Sequence, residues 1–277
     1  MRVFRNEFGS VRVIWSIALF FALLSVFTAP LIVFSVEHKF EIPLIVQAFL
    51  IFIVSVLCQK IVGIPITQLM GKFDVNFLRT FLTGSLMGSL LMLLPALILF
   101  VGGWVTWQAK PVGAGDLETA AFVIFSGAIA EEILFRGFLF QRILHGWGIW
   151  PAQLIMSLLF LLTHLNNPGM NGSTQVIASL NIFIASLVFG IAYIRTQTLG
   201  MAIGLHFMAN FTQGVILGFN VSGEKDASLF KPVFTSTEVW ITGGNFGLEA
   251  SIFGLAAIIC LAFLITRKGI FPALFRG

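Results

Sequence analysis

Five ionisable side chains lie inside otherwise apolar, membrane-length stretches of this 277-residue chain. With their neighbours they form three motifs: Glu131-Glu132-x-x-x-Arg136, Phe160-x-x-x-His164 and His206-x-x-x-Asn210. A charged side chain in hydrocarbon costs roughly 2.5 kcal/mol or more, so such residues face a bundle interior or a watery cavity and usually serve a function. Carboxylate, imidazole and carboxamide are also the groups that a water-activating hydrolase needs. The three motifs are therefore the candidate functional residues.

Helical spacing separates the two acids of the first motif. Glu132 and Arg136 are four residues apart with the acid first, so they share a helix face and we expect an ion pair. Glu131 lies about 100° round the helix from Glu132 and needs a partner from another helix. Two adjacent acids in different environments have different pKa values, an arrangement found in many hydrolases. The alternative for Glu132 and Arg136 is an ion pair that only fixes the rotation of the helix.

The second and third motifs supply the imidazoles. His206 and Asn210 are again four residues apart, so we expect two hydrogen-bond donors on one helix face. Phe160 shares a face with His164 and is expected to separate it from lipid. A single histidine in a membrane helix can also be a hydrogen-bonded core residue, so neither one is strong evidence alone. The other two histidines, expected to be solvated in loops, are His38 and His145.

Composition predicts the elements that position these motifs. The chain is 58% apolar and only 10% charged, whereas soluble domains carry about 25% charged residues. Eight apolar runs are long enough, at about 17–25 residues, to cross a bilayer. These runs are Val11–Val36, Ile42–Ile61, Phe77–Gly102, Thr119–Leu144, Ile149–Leu165, Thr174–Ile194, Leu199–Phe219 and Leu248–Ile265. We therefore predict an all-α, polytopic membrane helical bundle of about eight transmembrane helices.

Lysine and arginine positions predict its orientation. The first apolar run is too long for a signal peptide and lacks an A-x-A site, so we expect it to be retained as a helix. With the N-terminus in the cytoplasm, 12 of the 16 basic residues fall on the cytoplasmic side, as the positive-inside rule requires. These are Arg2, Arg5, Arg12, Lys60, Lys72, Arg79, Arg136, Arg142, Arg195, Arg267, Lys268 and Arg276. The outer four are Lys39, Lys110, Lys225 and Lys231. Both termini should be cytoplasmic.

We predict a single membrane domain over residues 1–277. Its net charge of +4 is a topology signal, and no clustered basic face indicates nucleic-acid binding. Cys58 and Cys260 have no C-x-x-C spacing, so neither a disulfide framework nor a cysteine metal site is expected. The two longest polar stretches, 103–118 and 220–247, are predicted to be loops on the outer side. We interpret the second as an ordinary connector, with a cap over the bundle as the alternative.

Helix depth gives a test of whether the motifs meet. At 1.5 Å per residue, Glu131 lies about 18 Å below the outer end of its helix and His206 about 12 Å above its inner end. His164 comes out nearer the outer side, roughly 21 Å from Trp150. The three side chains can meet only if the fifth helix starts late, tilts or enters short.

The ordered set EExxxR, FxxxH and HxxxN on successive helices resembles the type II CAAX prenyl endopeptidase family, the CAAX protease and bacteriocin-processing group of intramembrane proteases. The resemblance covers a core of about residues 119–219. It implies that Glu131, as general base, and His164 activate a water, that His206 and Asn210 stabilise an oxyanion, and that Glu132 and Arg136 organise the site. The family has been argued to be glutamate-dependent or metal-dependent. Because HExxH is absent, we expect no cofactor. The alternative is zinc on Glu131, His164 and His206.

The function expected from this resemblance is intramembrane hydrolysis of a peptide bond. Family members in eukaryotes process CAAX-box proteins by trimming the last three residues of prenylated tails, but prokaryotic relatives often lack such targets. We expect a peptide or protein substrate, lipid-modified or membrane-embedded, and a multi-pass protein of a prokaryotic plasma membrane with the lipid bilayer as its other partner. The alternatives are a non-catalytic scaffold or immunity protein and a proton-coupled transporter. The transporter alternative is weakened because the sequence shows no inverted repeat.

Overall fold

The structure is a computed structural model that describes residues 11–267, and it is helical over most of that length. In chain order the elements are α1 (Val13–His38), α2 (Leu44–Val62), α3 (Thr67–Met70), α4 (Val75–Val101), β1 (Val105–Ala109), α5 (Ala114–Arg136), α6 (Phe138–Trp147), α7 (Ile149–His164), α8 (Gly172–Thr196), α9 (Gly200–Phe211), β2 (Phe230–Phe234), α10 (Val239–Thr242) and α11 (Ile252–Thr266). A π-helix at Thr212–Ile216 follows α9, and a 3-10 helix at Leu248–Ala250 precedes α11. The predicted helical bundle is confirmed. Four basic residues used for the orientation lie outside the described range: Arg2, Arg5, Lys268 and Arg276.

Four helical stretches within the described range are long and apolar enough to cross a bilayer. They are Val13–His38, Leu44–Val62, Thr67–Val101 and Thr174–Thr196. Two further apolar helices, α7 and α11, are shorter. The motif-bearing α5 has 23 residues but carries five charged side chains. The predicted count of eight transmembrane helices therefore stays a prediction.

The fourth predicted run, Thr119–Leu144, is not one helix. α5 ends at Arg136, and Gly137 takes φ −77° and ψ −133°, which breaks the helical path before α6. A Cβ on Gly137 would lie 2.2 Å from the carbonyl oxygen of Ile133, so only glycine fits there. The Gln141 amide then donates to the carbonyl oxygen of Arg136 and covers the end of α5. The helix therefore ends at the last residue of the first motif.

The prediction that the two polar stretches are loops is also partly wrong. β1 lies in the first and β2 in the second, and they pair antiparallel with Val105 opposite Phe234 and Ala109 opposite Phe230. Both strands contain β-branched and aromatic residues, which favour extended structure. The Trp107 indole donates to a backbone carbonyl beyond the π-helix, at 2.8 Å. The loops therefore form a two-stranded sheet that packs on one end of the bundle.

Close packing of α4 on α9 holds the third motif. A Cβ at Gly84 or Gly88 would lie about 2 Å from a backbone carbonyl oxygen of α9, and one at Gly204 about 2 Å from a carbonyl oxygen of α4. Because no side chain separates the two backbones, α9 lies directly against α4. α5 packs on α2 and α9, and α8 packs on α7 and α11. These contacts bring the three motif helices together at the centre of the bundle.

Candidate active site

All three motifs contribute to one cavity of about 310 Å³. Its lining includes Glu131 from α5, His164 from the end of α7, and His206 and Asn210 from α9. α7 begins at Ile149 and ends at His164, close to the predicted bounds, and His164 lines the cavity in spite of the depth conflict. The four side chains that the sequence predicted to be functional therefore face a common space.

Glu132 and Arg136 lie beside this cavity as a buried ion pair. The Arg136 Nη1 to Glu132 Oε1 distance is 3.2 Å, and their side chains are 1% and 0% exposed. Arg136 Nη2 also donates to the Ser186 carbonyl oxygen and hydroxyl, and the guanidinium lies about 5 Å from the ring centroids of Phe160 and Phe189. The predicted local pairing is confirmed, and the pair also ties α5 to α8.

His206 connects the two acids, which spacing along the helices did not predict. Its Nδ1 lies 2.9 Å from Glu132 Oε1, and its Nε2 lies 3.8 Å from Glu131 Oε2. The Phe189 ring stacks on the imidazole at 4.9 Å and 11°. A carboxylate can only accept, so Nδ1 carries the proton and Nε2 is the nitrogen left for chemistry. His206 can therefore donate to an oxyanion only when both nitrogens are protonated.

His164 is oriented by its own helix. Its Nδ1 lies 2.7 Å from the Phe160 carbonyl oxygen, so Nδ1 is the donor and Nε2 is free for the cavity. The Phe160 ring packs 4.6 Å from the His164 ring and 6.3 Å from the His206 ring, and is buried. Phe160 therefore packs near both imidazoles and against the Arg136 guanidinium.

Glu131 is the acid that remains available. Its side chain is 36% exposed, and Oε2 is buried without a hydrogen-bond donor from the described residues. Glu132 by contrast holds both Arg136 and His206 through Oε1. The two adjacent carboxylates therefore have the different environments that helical geometry predicted. Glu131 is placed to accept a proton, and Glu132 to hold its neighbours.

Sequence reasoning missed Glu249 and the loop that it holds. Glu249 is buried; it accepts from the Ser222 amide at 2.6 Å, the Ser222 hydroxyl at 2.9 Å and the Gln213 amide at 2.9 Å. Ser222 and Glu249 both line the cavity. The interpretation of 220–247 as an ordinary connector is therefore wrong for its first residues, since Val221, Ser222, Glu224 and Asp226 line the same cavity as the motif residues. An acid at the start of the last apolar run was the signal available in the sequence.

The described part of the chain contains no group of three or more His, Cys, Asp or Glu side chains arranged to hold a metal ion. The residues of the zinc alternative, Glu131, His164 and His206, line one cavity without forming such a group. Cys58 is buried and Cys260 exposed, and both are free thiols. Metal independence stays a prediction, with its test below.

Comparison with known proteins gives one result. Residues 114–212 match the family model described as type II CAAX prenyl endopeptidase Rce1-like. The matched segment is similar to that family. It begins with the first residue of α5, ends with the first residue of the π-helix, and contains all six motif residues with chemical roles. No curated protein and no solved structure matches the chain.

The similarity to Rce1-like proteins supports a protease of the CAAX type, and the apolar helices are consistent with an integral membrane protein. Such a protease acts on a peptide or protein substrate. The match covers the motif helices α5, α7 and α9 and leaves α1 to α4 and α11 outside it. Helices α2, α4 and α11 and the loop after the π-helix complete the lining of the cavity from outside the matched segment.

We expect Glu132→Gln to lower turnover less than Glu131→Gln does. Glutamine at 132 keeps an acceptor oxygen for Arg136 and His206 and loses only the charge, whereas glutamine at 131 cannot accept a proton. Turnover of both variants on one cleavable peptide, with monodisperse elution from size exclusion as the folding control, checks the ranking. Equal loss in two well-folded variants would contradict this division of roles.

Proposed function

We propose that this protein is an intramembrane endopeptidase that hydrolyses a peptide bond with a water activated by Glu131 and His164. The observation that supports it is the shared cavity of about 310 Å³, which both residues line with His206 and Asn210. A carboxylate, two imidazoles and a carboxamide around a space of that size can bind a peptide bond and a water together. The Rce1-like family match supports the same activity.

The reaction needs one base and two donors. Glu131 takes a proton from the water, which is also hydrogen-bonded to His164 Nε2, as the water oxygen attacks the carbonyl carbon. The C=O electron pair moves to the oxygen, and Asn210 Nδ2 and doubly protonated His206 stabilise that oxyanion. Glu131 then gives its proton to the leaving nitrogen, the C–N bond breaks, and an acid and an amine are released.

Glu132 and Arg136 support this chemistry without touching the substrate. Glu132 holds His206 through Nδ1, so that Nε2 points away from it. Arg136 offsets the charge of Glu132 in a buried setting, where an unpaired carboxylate is strongly unfavourable. These contacts favour a positioning role over a reacting one.

Substrates would reach the site from the outer side of the membrane. The cavity lining includes Ser222 and Glu224, which belong to the predicted outer loop 220–247. An apolar groove of about 1070 Å³ between α1, α2 and α5 shares Leu44 and Val123 with the cavity. This groove suits a lipid chain or membrane segment of the substrate, and its position supports cleavage beside the bilayer. Both termini then lie in the cytoplasm.

The decisive experiment is cleavage of a quenched peptide library by the purified chain in detergent, beside Glu131→Ala. We expect time-dependent cleavage by the wild type and none by the variant. Cleavage that is equal in both would show a contaminating protease. A wild type that cleaves nothing while Glu131→Ala is equally stable would favour the scaffold alternative.

Chelation separates the two proposed ways to activate water. If Glu131 and His164 act without metal, zinc-stripping chelators should leave turnover unchanged, and elemental analysis should find no stoichiometric metal in the active protein. One zinc per chain whose removal abolishes turnover, and whose binding is lost in His164→Ala, would replace this mechanism with metal-assisted hydrolysis.

A further inference from the structure

The cavity is acidic beyond the motif residues. Besides Glu131 it is lined by Glu224, Asp226 and Glu249, and no lysine or arginine of the described chain is among its lining residues. Glu249 accepts three hydrogen bonds and is fully engaged with Ser222 and Gln213. The carboxylates of Glu224 and Asp226 are not held by hydrogen bonds of this kind within the described part of the fold.

Glu224 and Asp226 lie where the cavity meets the apolar groove, because both line both spaces. Asp226 is half-buried and packs close to Gly214. A Cβ added to Gly214 would lie 3.2 Å from the Oδ2 atom of Asp226. Across residues 11–267 neither carboxylate has a cationic nitrogen within 4.0 Å. Lys225 between them lines the groove but not the cavity. Burial, and then Glu224, raise the pKa of the Asp226 carboxyl. A cationic group on a bound ligand would therefore stabilise the carboxylates of Glu224 and Asp226.

A second polar side chain independently points to a peptide ligand. Asn181 of α8 is 5% exposed, lines the same cavity, and its Nδ2 has no hydrogen-bond partner among the described residues. A buried amide without an acceptor is unfavourable, so such groups are normally paired. A main-chain carbonyl of an extended peptide supplies the acceptor that this amide lacks.

We propose that the cavity binds a peptide segment with a basic side chain, whose charge lies between Glu224 and Asp226 while Asn181 donates to its main chain. The substrate class of the site is thus a peptide with lysine or arginine near the scissile bond. This deepens the proposed peptidase function, on which it rests. The charges of Glu224 and Asp226 select a basic side chain in the peptide. The Asn181 amide binds the peptide main chain, so its contact does not depend on which side chain is present.

Binding tests the proposal separately from cleavage. The probes are two fluorescein-labelled pools of apolar dodecapeptides, identical except that one scanned position is lysine in the first pool and norleucine in the second. Anisotropy is measured with the full-length chain in detergent, as wild type and as Glu224→Gln/Asp226→Asn. The matched control is Glu37→Gln/Glu118→Gln, which removes two exposed charges that line neither space.

We expect the wild type and the control to bind the lysine pool about tenfold more tightly than the norleucine pool, with the difference reduced in high salt. The Glu224→Gln/Asp226→Asn variant should bind both pools alike. Asn181→Leu should weaken both pools by about fivefold and keep the lysine preference. Equal affinity of the wild type for the two pools, or a preference that survives in Glu224→Gln/Asp226→Asn, would overturn the proposal.

Cleavage of the same pools distinguishes this proposal from the proposed function. If the lysine pool is bound selectively through Glu224 and Asp226 but never cleaved, the basic subsite stands and the peptidase function fails. If both pools are cleaved at equal rates and bound with equal affinity, the peptidase stands and the subsite fails.

Discussion

Glu131→Gln should lower turnover about 10²–10⁴-fold, the range that a positioned general base contributes. Glutamine matches glutamate in size, so the packing of α5 is preserved, but its amide cannot accept the proton of the attacking water. The buried Oε2 of Glu131 accepts no hydrogen bond from the described residues, and His206 Nε2 lies 3.8 Å from it. Turnover and Michaelis constant on one cleavable peptide measure the loss.

The control for this variant is Glu118→Gln, thirteen residues earlier on the same helix. Glu118 is exposed and lines neither the cavity nor the groove, so its turnover should match the wild type. Thermal unfolding of Glu131→Gln should remain close to that of the wild type. A stable Glu131→Gln protein that keeps more than a tenth of wild-type turnover would remove Glu131 from the role of base.

Asn210→Ala should lower turnover about 10²–10³-fold, as expected when one donor to an oxyanion is removed. The oxyanion exists only in the transition state, so the Michaelis constant should change little. Asn210→Asp should be at least as damaging, because it puts a carboxylate where negative charge must form. Asn210 lies one helical turn from His206 on α9, and both line the cavity, so the two side chains can bind one oxygen.

The opposite kinetic pattern would overturn the oxyanion role. If Asn210→Ala raised the Michaelis constant and spared turnover, Asn210 would bind the substrate in its ground state. Asn181→Leu serves as the comparison, since we expect it to weaken binding through a main-chain contact. Measurement of both variants on the same peptide separates an oxyanion donor from a substrate-binding amide.

Local spacing predicted well the contacts that a single helix controls. Glu132 and Arg136 pair as the i, i+4 rule requires. This result follows from helix geometry alone. The break at Gly137 escaped prediction because its apolar neighbours continue the hydrophobic run, although no Cβ fits there.

Contacts between distant segments were beyond reach of the sequence. The bond between His206 and Glu132 joins residues 74 positions apart, and the bonds of Glu249 to Ser222 and Gln213 join a loop to two helix ends. The β1–β2 pairing depends in the same way on which two loops meet. Hydrophobic periodicity carries no information about contacts between distant segments, so the second loop was misinterpreted as a simple connector.

The sequence by itself determined the membrane bundle, the three motifs and the different environments of the two adjacent acids, because hydropathy and helical spacing act over a few turns of chain. Only the tertiary structure decided which nitrogen of each histidine faces the cavity, and which carboxylates remain without a cation. Those properties depend on what packs against a side chain from elsewhere. Phe160 sets the His164 ring, Glu132 engages Nδ1 of His206, and the loop that carries Glu224 and Asp226 reaches the cavity because Glu249 holds it there.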